Sequence, residues 1–314
     1  MGLASSVAQT RDKTERVGDY HRRKRLRDRR AFVLFVAPAL LAFSFMMLWP
    51  LGNTFYLSLM RWQGLLKPKT FVGLDNFVRL VRDRHFHAAL ANSGVHFAIS
   101  GLGVMYPAFV LGYFLNLRRP GWRLLRTLFF VPSMISAAGQ AMMFLGVYVP
   151  TGILNSALRA VGLGSWTHSW LGESGTVLLS VVMLDFYGGV GYYAVLLMAA
   201  LSSLAPEVRE AALLDGAGEW TIMWRIAYPL VLDFFGVCTM LHFLWILLGA
   251  VTRVLLLTHG GPGDYSLTLG YYLYDLAFQR NRLGYSQAVG VVIFVIGAIG
   301  IALIRWATHR DYRV

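Results

Sequence analysis

The chain has 314 residues, 56% hydrophobic and 14% charged, with a formal net charge of +13, a mean hydropathy of +0.54 and one cysteine, Cys238. That composition is too apolar for an ordinary soluble domain, and a lone cysteine excludes a disulfide framework or a cysteine-rich metal site. The positive charge gathers at the N-terminus and at the ends of apolar runs, a pattern that orients a membrane protein and argues against nucleic-acid binding.

Residues 1–30 hold Arg11, Lys13, Arg16, Arg22, Arg23, Lys24, Arg25, Arg27, Arg29 and Arg30. They read as a basic cytoplasmic tail that touches anionic lipid head groups. A secretory signal is a poor reading, because the apolar run that follows is too long and no small-residue cleavage site directly follows it. Residues 31–314 read as a six-span transmembrane domain, an all-α integral membrane protein. The predicted spans are 31–59, 93–117, 125–148, 175–201, 226–257 and 285–306, each near the roughly 20 apolar residues that a crossing needs.

With the tail inside, six spans return the C-terminus to the cytoplasm. About two thirds of the Lys and Arg residues then lie inside, with Arg253 counted outside. Pro38, Pro50, Pro107 and Pro132 are expected to bend their helices where neighbours satisfy the freed carbonyls. The connection 60–92 is amphipathic, with Phe71, Leu74, Phe77, Leu80 and Val81 at helical spacing.

Asp185 lies inside the fourth predicted span, followed by Phe186, Tyr187, Gly188, Gly189, Val190, Gly191, Tyr192 and Tyr193. An ionisable group at that depth costs about 2.5–3.5 kcal/mol on insertion scales and must face a cavity or a partner. The glycines are able to open the helix, and tyrosines offer stacking area and hydroxyls to a polar ligand. Asp185 therefore reads either as a pathway residue or as a structural carboxylate bonded to a neighbouring helix. His242 and Trp245 are one helical turn apart in the fifth span, placed to line the same cavity, with Asp185 as a candidate partner for His242. If those two exchanged protons, the chain would be a proton-coupled secondary transporter. The sequence contains no zinc-ligand spacing and no nucleophile triad, so it reads as no enzyme and as needing no cofactor of its own.

Between the fourth and fifth spans lies a mildly polar island, 205–228. Pro206 suits a first helical turn, where its missing N–H would be unpaired anyway. Glu207 and Glu210 sit near the positive end of that helix, Ala211 and Ala212 leave a small-residue side, and Gly216 after Asp215 suits a left-handed helix end. A second helix follows from Glu219 to Ile226, then Pro229. The prediction is a short helix, a sharp turn and a second helix: a lever attached to the membrane.

This island resembles the coupling loop of ABC-importer permeases, whose pattern is Glu-Ala-Ala, then Gly, then Ile and Leu-Pro. The chain has Glu210, Ala211, Ala212, Gly216 and Ile226, with Tyr228-Pro229 in place of Leu-Pro and Met223 where Phe is common. Phe71-Val72-Gly73-Leu74-Asp75-Asn76-Phe77, Gly152-Ile153-Leu154-Asn155, Thr258-His259-Gly260-Gly261-Pro262-Gly263 and Gly284-Tyr285-Ser286-Gln287-Ala288 resemble further stretches of the carbohydrate branch, of the maltose and glycerol-phosphate kind. The resemblance implies six transmembrane helices of the type I ABC importer (MetI-like) permease fold in a bacterial or archaeal cell membrane. It implies a second homologous permease, a cytoplasmic ATPase dimer that binds the ATP and Mg, and an extracytoplasmic solute-binding protein. On it, Glu210, Ala211, Ala212, Asp215, Gly216, Ile226 and Pro229 would couple to the ATPase. Sugar permeases commonly have an aromatic residue near Asp185, so Asp185 is a departure. The sequence has no Gly-x-x-x-x-Gly-Lys-[Ser/Thr] phosphate loop, consistent with a motor on another chain.

Overall fold

A computed structural model describes residues 32–64 and 66–309; the basic tail 1–30 lies outside the described residues. The chain divides between Tyr56 and Leu57 into two compact units. The first is the body of helix α1 (Phe32–Ser58), whose apolar window has a mean hydropathy of 2.3. At Ser44–Leu48 it widens into a π-turn. Pro50 has no N–H for the Met46 carbonyl and its ring crowds that oxygen, so a wider turn just ahead relieves the clash.

The second unit opens with a small antiparallel hairpin, β1 (Met60–Arg61) on β2 (Thr70–Phe71), in which Met60 faces Phe71. Phe71 thus belongs to a strand and not to the helical stripe expected of it; the helix, α2, starts only at Asp75 (Asp75–Val81). The amide of Asn76 locks the two pieces together, donating to the Ser58 and Met60 carbonyls at 2.7 and 2.9 Å.

Helix α3 (Arg84–Asn116) starts well before the expected position near 93 because Asp83 caps it, accepting from the His85 N–H at 2.9 Å. The Asp83 carboxylate also receives the hydroxyls of Tyr272 and Tyr285. Partial burial pushes its pKa up, but these hydrogen bonds outweigh that and hold it below the usual carboxylate range. The helix passes through Pro107 without a break.

The third predicted span is broken. Helices α4 (Trp122–Met134) and α5 (Ala137–Tyr148) meet at 97°. Pro132 starts the break, Ile135 is extended, and Ser136 caps α5 by accepting from Gly139 N–H at 3.1 Å. Helix α6 (Ile153–Ala160) leads to α7 (Val177–Leu201). Then come α8 (Pro206–Leu214) and α9, which begins as Glu219–Ile222, widens into the π-turn Met223–Ala227 ahead of Pro229, and ends as Tyr228–Leu230. The chain closes with α10 (Leu232–Gly249), α11 (Val251–Leu257), α12 (Leu269–Tyr274) and α13 (Leu283–Thr308). Among the described residues, five helices (α1, α3, α7, α10 and α13) are long and apolar enough to cross a membrane, six with the bent α4–α5 pair counted as one.

Within the second unit α3 packs along α7, α4 against α7, and α10 along α13. Lipid gives helices no hydrophobic reason to associate, so close backbone approach has to hold them. The glycines of α7 supply it. A Cβ on Gly191 would sit 1.7 Å from the Phe129 carbonyl oxygen of α4, and one on Gly188 would sit 2.9 Å from the Gln140 amide of α5. The expectation that these glycines open the helix is corrected: α7 is continuous, and they let the broken span dock on it. Among the described residues two apolar clusters fill the interior of this unit. One, around Leu184, Leu247, Leu269 and Tyr272, lies toward the hairpin end; the other, around Phe109, Leu197, Met223 and Phe235, lies toward the 205–228 loop.

Candidate functional site

A cluster of buried polar groups lies among α3, α5, α7, α10 and α11. Asp185 of α7 is 3% exposed and accepts from His96 of α3 and from Nη1 of Arg253 of α11. Nη2 of Arg253 donates to Oε1 of Gln140 at 2.8 Å. The same Gln140 side chain uses its Nε2 to satisfy the Pro132 and Ile135 carbonyls at 2.9 and 3.2 Å, the groups freed by the α4–α5 break. One glutamine thus ties the broken span to the ion pair. The position of Arg253 corrects the charge count: it is a buried partner of Asp185 and not an outer interfacial charge.

His242 is 1% exposed and bonds Ser100 Oγ at 3.0 Å. The expected Asp185–His242 pair does not form; Asp185 is taken by Arg253 and His96. Tyr193 stands edge-on to the His242 ring at 5.4 Å.

The cluster forms one wall of a cavity of about 420 Å³, lined also by Tyr192, Tyr193, Leu241 and Trp245. The Arg253 guanidinium lies 5.8 Å from the Trp245 ring. Of the residues expected here, Asp185, Tyr192, His242 and Trp245 border the cavity. Tyr187 does not: it faces α5, its ring 5.3 Å from Phe144. The cavity offers aromatic faces, hydrogen-bonding groups and a charge pair that is neutral overall. That suits a polar solute with hydroxyls and an apolar face.

His96, Ser100, Gln140 and Arg253 complete the site without standing among the candidates read from the sequence. Two signals point to them: Ser93, His96 and Ser100 form a polar stripe at helical spacing on α3, and Arg253 is a lone charge inside an apolar run that continues to Leu257.

The loop is a second site. Helix α8 ends in a complete Schellman motif, with Gly216 N–H donating to Leu213 O and Ala217 N–H to Ala212 O, both at 3.0 Å. Gly216 has φ +81°, which explains a glycine there. Glu210, Ala211, Asp215 and Gly216 are exposed, while Ala212 is buried and Ile226 half-buried against the core. Pro229 falls in the last turn of α9, and Val231 leaves helical geometry before α10 starts. Leu214 is 89% exposed and Trp220 63% exposed, large apolar side chains left uncovered on a polar loop. Behind them α9 is fastened to the bundle by an aromatic cluster: the Phe109 ring lies 5.3 Å from Trp224 and 5.1 Å from Tyr228.

Residues 108–310 match the family model of the binding-protein-dependent transport system inner membrane component. The chain is 35% identical over 269 residues to the probable ABC transporter permease protein YurN of Bacillus subtilis (84% of this chain, 90% of that protein). It is 28% identical over 320 residues to the diacetylchitobiose uptake system permease protein NgcF of Streptomyces coelicolor (96% and 89%). A solved bacterial ABC transporter that imports the acidic polysaccharide alginate has the same fold, with a TM-score of 0.77 at 21% identity over 91% of this chain and 98% of that one. The exposed Glu-Ala-Ala loop and the six-span arrangement find their place in this group: the chain belongs to the binding-protein-dependent transport system inner membrane component family and is a permease subunit of an ABC importer, with the MetI-like fold.

Proposed function

We propose that this permease pairs with a second, homologous permease and a cytoplasmic ATPase dimer. Together they would move a sugar or sugar-like solute delivered by an extracytoplasmic binding protein. Both termini are cytoplasmic in this reading, residues 1–30 are a basic tail and residues 31–314 the transmembrane domain. ATP and Mg belong to the ATPase, and the chain itself needs no cofactor. The carrying observation is the 205–228 loop: a rigid helix–turn–helix that leaves Leu214 and Trp220 uncovered beside Glu210, Ala211, Asp215 and Gly216. Such a surface fits a cleft on another protein. Relatives named for diacetylchitobiose, multiple-sugar and lactose transport support the sugar class, as does a cavity with Trp245 and Tyr192 beside Asp185 and His242. An alginate transporter of this fold has been solved with its ligand-bound periplasmic protein, which supports the delivery partner.

Mechanistically, closure of the ATPases would drive the loop, and the two permeases would rock between inward- and outward-facing states around the cavity. The test is uptake into proteoliposomes by the full complex. ATP-dependent, vanadate-sensitive uptake is expected. Uptake driven by a proton gradient without ATP would overturn the reading. Gly216→Val, which forces a β-branched residue to φ +81°, is expected to separate ATP hydrolysis from uptake.

A further inference from the structure

Glu219 lies outside the residues of the Glu-Ala-Ala pattern, yet more side chains converge on it than on any carboxylate of that pattern. It opens α9, directly after Gly218, with its side chain 24% exposed. It accepts from the Tyr113 hydroxyl of α3 at 2.7 Å and from Arg209 of α8, and Arg119, just beyond α3, stands 3.7 Å away. Three segments therefore meet at one carboxylate: the coupling helix, the helix that follows it, and the end of α3. Partial burial raises the Glu219 pKa, but the hydrogen bonds of Arg209 and Tyr113 outweigh it and hold the carboxyl below its usual range, so it is ionised at neutral pH.

Helix α3 is the element that both sites share. Tyr113 is near one end of it; His96 and Ser100, which hold Asp185 and His242, lie further along. Ser100 and Tyr113 are roughly 20 Å apart along a continuous helix. The aromatic contacts of Phe109 with Trp224 and Tyr228 fasten the same stretch of α3 to α9. Displacement of α8 thus has a stiff route to the cavity wall, provided that α8 is held to α3. The Arg209–Glu219–Tyr113 bridge is a direct polar link between them.

We propose that Glu219 is a positioning residue for coupling: it clasps the coupling helix to α3, so that movement of the loop turns the helix that carries His96 and Ser100. This rests on the reading of 205–228 as the surface a motor moves. The clasp makes a specific demand. A cation on α8 must meet a carboxylate at the start of α9, the sign that Tyr113 and Arg119 also favour there.

The experiment measures solute moved per ATP hydrolysed by the full complex in proteoliposomes, normalised to assembled complex. Arg209→Glu and Glu219→Arg are each expected to lower that ratio about fivefold, the low end of coupling between distant sites. The double exchange should recover part of it, since the pair re-forms but an arginine at position 219 then faces Arg119 and offers the Tyr113 hydroxyl no acceptor. Tyr113→Phe, which removes one hydroxyl, should give a smaller loss. A purely structural role would change the amount of complex and leave the ratio per complex alone. Single variants with a wild-type ratio, or a double variant no better than the singles, would overturn the clasp; should the charge variants fail to assemble, a wild-type ratio for Tyr113→Phe does so. Gly216→Val separates the two readings. If it uncouples and the Glu219 variants do not, the clasp fails alone. If neither uncouples, the lever reading fails with it.

Discussion

Two of the carboxylate–arginine pairs of this permease, Asp185–Arg253 and Glu219–Arg209, differ in what surrounds them. Asp185 and Arg253 are 3% and 5% exposed at the side chain, whereas Glu219 and Arg209 are 24% and 41% exposed. The first carboxylate has His96 as a further partner, the second Tyr113 and, at 3.7 Å, Arg119. The buried pair carries the whole cost of removing two charges from water, which its mutual attraction repays only with good geometry and extra hydrogen bonds. Gln140 and His96 supply those bonds. The half-wet pair costs little to form and, for the same reason, holds little. The contrast matches the two tasks proposed for them: a cavity wall that must keep its shape, and a joint that must transmit motion.

Breaking one member of each pair tests this most directly. Arg253→Met strands the Asp185 carboxylate beside His96 alone and is expected to destabilise the fold by about 3–5 kcal/mol. Arg209→Met should cost at most about 1 kcal/mol. Thermal unfolding of the purified complex in detergent reads both. Adding Asp185→Leu to Arg253→Met should recover most of the loss, since an apolar pair removes the stranded charge. Equal losses for the two arginine variants would erase the distinction between the regions.

The next effect concerns what holds the cavity wall in place. Gly191→Ala puts a methyl group 1.7 Å from the Phe129 carbonyl, a backbone contact that cannot swing away. Overpacking of this kind costs about 1–3 kcal/mol. It should also shift the α4–α5 break and lower uptake. On the loop, Ala211→Ser adds one oxygen to an exposed position and should leave stability within about 0.5 kcal/mol. A Gly191 variant as stable as the Ala211 one would show that α4 and α7 do not need the close approach.

The two regions also differ in how far the sequence reveals them. The loop was legible almost to the residue, because Pro206, Asp215, Gly216 and Gly218 act through local backbone chemistry that a reader can apply without knowing the fold. The spans were legible because hydrocarbon demands long apolar runs, and their number followed. The cavity wall was legible only in part. Asp185 announced itself by its cost, but its partners lie 89 and 68 residues away, and nothing local couples Arg253 or His96 to it. His242, the partner that the sequence offers it, belongs instead to Ser100. The break of the third span was half visible: Pro132 marks it, whereas the 97° turn depends on Gln140 and the glycines of α7, which act across helices.

A further small effect is a dependence on pH that belongs to the loop. The Glu219 carboxyl has its pKa raised by burial and lowered further than that by Arg209 and Tyr113, so in the folded protein it lies below the ordinary value of 4.5. A folded value below the unfolded one means that the carboxylate stabilises the fold fully above the unfolded value. That contribution fades as pH falls through the folded value. Partly exposed and screened, it amounts to no more than about 1 kcal/mol. The unfolding midpoints of wild type and Glu219→Gln should therefore stay a small, constant distance apart between pH 6 and 8 and converge below pH 4.5. Convergence as pH rises would reverse the sign and mean that the proton, not the charge, fastens the joint. A gap that persists unchanged into acid would mean that Glu219 acts by shape alone, and the likeness between the two carboxylate–arginine pairs would end there.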